Sequence, residues 1–102
     1  MMLSDYFSLE ELMVSEVAAR KNIDNTPAGD ALLALTATAK KMDAVRRLLG
    51  RPILPSSGYR CPELNTLIGS NSKSDHPKGL AVDFICPGFG SVKQVFDKIR
   101  LS

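Results

Sequence analysis

Apolar residues recur at helical spacing from about residue 27 to 49. Ala31, Leu35, Met42, Val45 and Leu49 share a face, with Leu32 and Ala39 beside them. Thr26-Pro27 opens this stretch with proline at the first helical position, and Gly50 closes it. At about 1.5 Å per residue the helix is roughly 34 Å long, and it is the expected scaffold. A second periodic stretch follows Ser91, where Val92, Val95, Phe96 and Ile99 form an apolar stripe on a helix from 92 to about 101. Near the start, Ser8-Leu9-Glu10-Glu11 has the form of a capping box, Ser8 as N-cap and Glu11 at the third helical position. The short helix it begins carries Leu9, Leu12 and Met13 on one side. Residues 15 to 20 add another helical turn, and 22 to 25 break the pattern with turn residues. Phe7 is expected to anchor this arm to the body.

Between the long helix and the last one the pattern shortens. Residues 52–57 predict a strand, and Pro52 and Pro55 place it at an edge. Gly58 permits a sharp change of direction, and a further helix is expected from Pro62 to about Ile68, with Cys61 near its N-cap. Residues 69 to 73 are polar and predict a mobile loop. The apolar run Leu80-Ala81-Val82-Asp83-Phe84-Ile85 then predicts a second, buried strand within 79–85. Helices packed on a small antiparallel sheet make the expected class α+β.

The 102 residues predict one domain spanning 1–102, and 44% hydrophobic content allows a single small core. A net charge of +2 is too mild to argue for nucleic acid, and Arg46-Arg47 is explained by the helix dipole; a weak basic balance suits an anionic partner such as cell wall. No apolar run approaches the roughly 18 residues of a membrane span, and no signal peptide is legible. The expectation is a monomer that is cytoplasmic as synthesised. Cys61 and Cys86 are expected as free thiols, with Cys86 a small buried residue. As a zinc ligand it is disfavoured, because in a strand it points away from Asp83.

The densest chemistry lies in Ser74-Asp75-His76-Pro77-Lys78-Gly79-Leu80-Ala81-Val82-Asp83. It holds the single histidine of the chain, and an aspartate follows seven positions later. A buried carboxylate is costly unless a cation pairs with it. Imidazole nitrogen and carboxylate oxygen both ligate Zn²⁺, so one divalent ion would satisfy both. The bland alternatives are a structural histidine, and an Arg60 that simply pairs with Asp83 or a backbone carbonyl.

This stretch, Ser-x-His-x-x-Gly-x-Ala-x-Asp, resembles the first zinc-ligand motif of the D-alanyl-D-alanine metallopeptidases of VanX and VanY type. Upstream, Ser57-Gly58-Tyr59-Arg60 and Pro62-Glu63-Leu64-Asn65 resemble a second motif of their small, often phage-encoded, cell-wall hydrolase-like members. Weaker similarity through Phe7, Glu11-Leu12, Ser15, Ala18 and Ile23-Asp24-Asn25 extends it over nearly the whole chain. The resemblance implies a hedgehog and D-Ala-D-Ala-peptidase-like fold, with a cleft where Arg60, His76 and Asp83 converge. It implies a zinc-dependent peptidase acting on the D-amino-acid-containing peptide stem of peptidoglycan. His76 and Asp83 would be metal ligands. Arg60 would be the catalytic and substrate-binding residue that stabilises a carbonyl or carboxylate near the metal. Ser74, with Ser57, would orient ligands or touch substrate, or each is a plain turn residue; Tyr59 belongs to core or rim.

The family takes its third ligand from a later histidine, with an acidic general base shortly before it. This chain has no second histidine, and it ends at Ser102 about where that segment is expected to begin. Asp75 adjoins His76 but is not expected to point inward with it, and Asp97 falls on the exposed face of the last helix. Two ligands alone hold zinc weakly. Two expectations compete with the complete enzyme: a peptidase domain truncated at its C-terminus, or a non-catalytic module on the same fold, a phage structural or cell-wall-binding protein. The enzyme would be released to the wall or carried in a phage particle.

Overall fold

The computed structural model describes residues 1–70 and 73–101. Among the described residues five α-helices accompany a two-stranded antiparallel sheet, so the class is α+β. Helices α1 (Leu9–Met13) and α2 (Glu16–Arg20) form the N-terminal arm, α3 (Gly29–Leu49) runs through the body, and β1 (Leu54–Ser57), α4 (Pro62–Leu67), β2 (Asp83–Ile85) and α5 (Val92–Arg100) follow. A 3₁₀ turn, His76–Lys78, lies between α4 and β2.

The helix ends follow from local chemistry. Ser8 and Ser91 each accept a backbone N–H from the third helical residue, and Glu11 and Gln94 answer the cap residue's own N–H. Helix α3 has 21 residues, about 31 Å. It starts two residues later than Pro27 suggests. Ala28 is extended and Gly29 has a φ of +57°, so the chain turns into the helix after a buried Pro27 and not through it. Gly50, also left-handed, ends α3 by donating to Arg46 O. The expected face is the core face: Leu35, Ala39, Met42 and Leu49 are buried against Leu3, Phe7, Leu12, Ile53, Tyr59, Cys86 and Val95. Phe7 anchors the arm as expected.

Asp43 interrupts that apolar face, and periodicity gave no warning of it. It is buried, and its carboxylate accepts from Ser4 Oγ at 2.8 Å and from the N–H groups of Asp5 and Tyr6. Arg46 and Arg47 do more than offset the dipole. Their guanidinium carbons lie 5.0 and 5.4 Å from the centre of the Tyr6 ring, and Arg47 pairs with Asp5.

Both strands are shorter than expected. They pair as Leu54↔Ile85, Pro55↔Phe84 and Ser57↔Asp83, with Ser56 bulged out between. Residues 80–82 are not strand. With two strands each has a free edge, which is where a proline such as Pro55 is tolerated. The apolar stripe of α5 is also only half covered: Val95 is buried, but Val92 is 72% and Phe96 61% exposed. Together with Phe84, Ile85 and Ile99 they border an open groove of about 500 Å³. Positions 71 and 72 of the expected mobile loop lie outside the described residues.

Candidate functional site

The two sequence motifs meet across the sheet. Ser57 pairs with Asp83 in register, and the next residue, Gly58, offers its carbonyl to His76 Nδ1 at 2.6 Å. Gly58 is required by close approach, not by a turn. A Cβ there would sit 2.1 Å from the Leu12 carbonyl oxygen, and Tyr59 N–H donates to that same oxygen at 2.7 Å. The end of β1 is thus pressed onto α1.

His76 is held from several sides. Ser74 Oγ accepts its backbone N–H at 3.3 Å, and the 3₁₀ turn closes with Gly79 N–H donating to His76 O. Gly79 has a φ of +75°, and a Cβ on it would lie 2.3 Å from Ala31 O on α3. Thr38 Oγ1 donates to Gly79 O at 2.7 Å. This turn can therefore seat on α3 only with glycine at position 79.

The ring orientation follows from its partner. A carbonyl oxygen only accepts, so Nδ1 carries the hydrogen, and Nε2 of a neutral ring is left with its lone pair outward. Nε2 lies 3.5 Å from Asp83 Oδ2. A protonated ring would meet that carboxylate as an ion pair. A neutral ring leaves two lone-pair donors across a gap. Bonds of about 2.1 Å meeting near the tetrahedral angle put two ligand atoms about 3.4 Å apart, so the pair has the spacing of two cis ligands of zinc. A ligating imidazole whose other nitrogen donates to a backbone carbonyl is the usual supporting arrangement.

The expected burial of Asp83 is not found. Its side chain is 66% exposed, against 9% for His76. Asp83 and Ile85 are exposed while Phe84 between them is half-buried, so the desolvation argument for a cation falls away and the spacing argument stands alone. No group of three or more His, Cys, Asp or Glu is gathered for a metal among the described residues. Asp75 is exposed. Cys86 is buried, with Sγ directed at Pro52 O at 3.3 Å, and both cysteines are free thiols. Asp97 is engaged by Lys93 and Arg100 on α5. The donors present fit two corners of a zinc site, one buried and anchored, one open to solvent, and the described residues supply no third.

Arg60 lines a pocket of about 510 Å³ with Glu16, Arg20, Ser57 and Tyr59, and neither His76 nor Asp83 is part of that lining. Among the described residues Arg60 makes no ion pair with Asp83, and its Nε is buried without a hydrogen-bond partner. The backbone around it is fixed by Asn25, a residue whose local pattern predicts only a turn. Asn25 Nδ2 donates to Met13 O and Tyr59 O, and Asn25 Oδ1 accepts Cys61 N–H at 2.8 Å.

The family model described as Peptidase M15 matches residues 5–101. No curated protein and no solved structure matches the chain.

Proposed function

Because the chain belongs to the peptidase M15 family, we propose that it is a zinc-dependent hydrolase of peptidoglycan type, cutting amide bonds in cell-wall peptides that contain D-amino acids. The observation that carries this reading is the 3.5 Å separation of His76 Nε2 and Asp83 Oδ2, with Nδ1 already committed to Gly58 O. A zinc ion bound there would polarise the scissile carbonyl and make bound water more acidic. The protein's part is to hold the imidazole in one tautomer and to present the carboxylate from the exposed side of β2. Ser74 acts through the backbone of His76, whose N–H it accepts.

A second reading rests on the donor count. With two donors gathered among the described residues, the same fold would serve as a cell-wall-binding module without turnover. Digestion of purified peptidoglycan with added zinc separates the two readings. The enzyme reading expects soluble peptide fragments from the wild-type protein and none from His76→Ala. Retention of the wild-type protein on the insoluble wall with no fragments released would establish the binding module instead.

A further inference from the structure

Gly79 stands between the two donors of the candidate site, after His76 and before Asp83. Residues 80–82, which lead on to Asp83, belong to neither helix nor strand. The placing of the pair therefore depends on how this segment is seated, and its seat is α3. Gly79 is buried there beside Ala31 and Leu35, and Thr38 Oγ1 donates to its carbonyl oxygen at 2.7 Å. The same hydroxyl lies 2.9 Å from Ala34 O, one turn back in its own helix. A hydroxyl has one hydrogen to give. Ala34 O already receives the backbone N–H of Thr38 in the helix, so it has no need of the hydroxyl. Gly79 O faces a helix whose mid-helix N–H groups are all committed, so a side chain must supply its donor. The shorter contact is the one that serves it. From that fixed point Gly79 N–H reaches back to His76 O at 3.2 Å, and the ring is carried onto Gly58 O.

We infer that Thr38 is a positioning residue for the His76 and Asp83 pair: by donating to Gly79 O it pins to α3 the segment from which both donors extend. The inference deepens the zinc reading and rests on it where metal binding is concerned. Without the hydroxyl, a buried carbonyl loses its donor, and the segment lowers that cost by shifting off α3 toward water. The shift pulls the ring from Gly58 O and changes the 3.5 Å spacing of Nε2 and Asp83 Oδ2. Thr38 is half-buried, so its replacement by an isostere leaves the core packing in place. Thr36 provides a matched control on the same helix. It too is half-buried, and its hydroxyl donates to Leu32 O within α3.

Two readouts test this, one of them without metal. The first is the tautomer of the single histidine in zinc-free protein, followed by nitrogen NMR in alkaline buffer, where the wild type should show one species with the hydrogen on Nδ1. Thr38→Val should give a mixture of tautomers, Thr38→Ser should restore the single species, and Thr36→Val should leave it unchanged. Thr38→Ala removes the same donor with less bulk and should behave as the valine variant does, which keeps the test open if that variant does not fold. The second readout is zinc calorimetry, in which Thr38→Val should bind about tenfold more weakly than the wild type and Thr38→Ser should match it. An unchanged tautomer in Thr38→Val and Thr38→Ala, loss of the single species in Thr38→Ser, or an equal effect of Thr36→Val overturns the assignment. If no protein binds zinc but the tautomer follows the hydroxyl at position 38, the positioning role stands and the metal reading fails. If the wild type binds zinc and the Thr38 variants bind it equally well, the metal reading stands and the positioning role fails.

Discussion

At Asn25 one buried amide ties together the end of α1, the carbonyl before Arg60 and the N–H after it. Three hydrogen bonds from a side chain that water does not reach make truncation costly. Asn25→Ala should lower stability by about 3 kcal/mol in urea unfolding. Asn25→Asp keeps the acceptor for Cys61 N–H and loses both donors, so it should also destabilise. No local signal separates this asparagine from an ordinary turn residue, because its partners are 12, 34 and 36 positions away. Tyr59 next to it is buried, and burial pushes its phenol up from the ordinary value of 10.0, with the nearby Cys61 and Asp24 adding to the effect. The folded chain thus keeps that proton to higher pH than the unfolded chain does. The contribution to stability is complete below the ordinary value and is lost as pH rises through the folded one. The urea midpoint should fall above about pH 10, and it should fall less in Tyr59→Phe over the same window.

At the scale of elements, what is local was legible and what is shared was not. Helix ends could be read from Ser8, Ser91 and Gly50, because a cap is made within a turn of the residue that needs it. Strand existence and direction were legible too, but strand length and burial depend on how many neighbours cover a face. A sheet of two strands leaves Asp83 and Ile85 outward, and α5 keeps Val92 and Phe96 in the open. Where the end of β1 meets α1 the backbones approach too closely for a side chain at position 58. Gly58→Ala must push the Leu12 carbonyl away, and with it the acceptor of Tyr59 N–H. A loss of about 3 kcal/mol is expected in the same urea assay. His76 loses its carbonyl partner when that backbone shifts, so zinc binding by Gly58→Ala should weaken as well.

For the whole molecule, the candidate site lies where the two motifs cross. Both motifs were visible in the sequence; their crossing through Gly58 O and the Ser57↔Asp83 register was not, since it depends on a bulge at Ser56. The same is true of Arg60, whose motif pointed to the metal and whose side chain lines a neighbouring pocket. The N-terminal arm divides its work: Val14 to Val17 and Arg20 line that pocket, while Leu3, Phe7 and Leu12 belong to the core. The claim on which the account turns is that His76 and Asp83 form one cation site. Zinc calorimetry on the wild-type protein, His76→Ala and Asp83→Ala tests it most directly. One zinc per chain should bind the wild type, with affinity falling about tenfold or more in each variant. Binding that is absent, or equal in all three proteins, would contradict the claim and leave the 3.5 Å contact as an ion pair of a protonated ring.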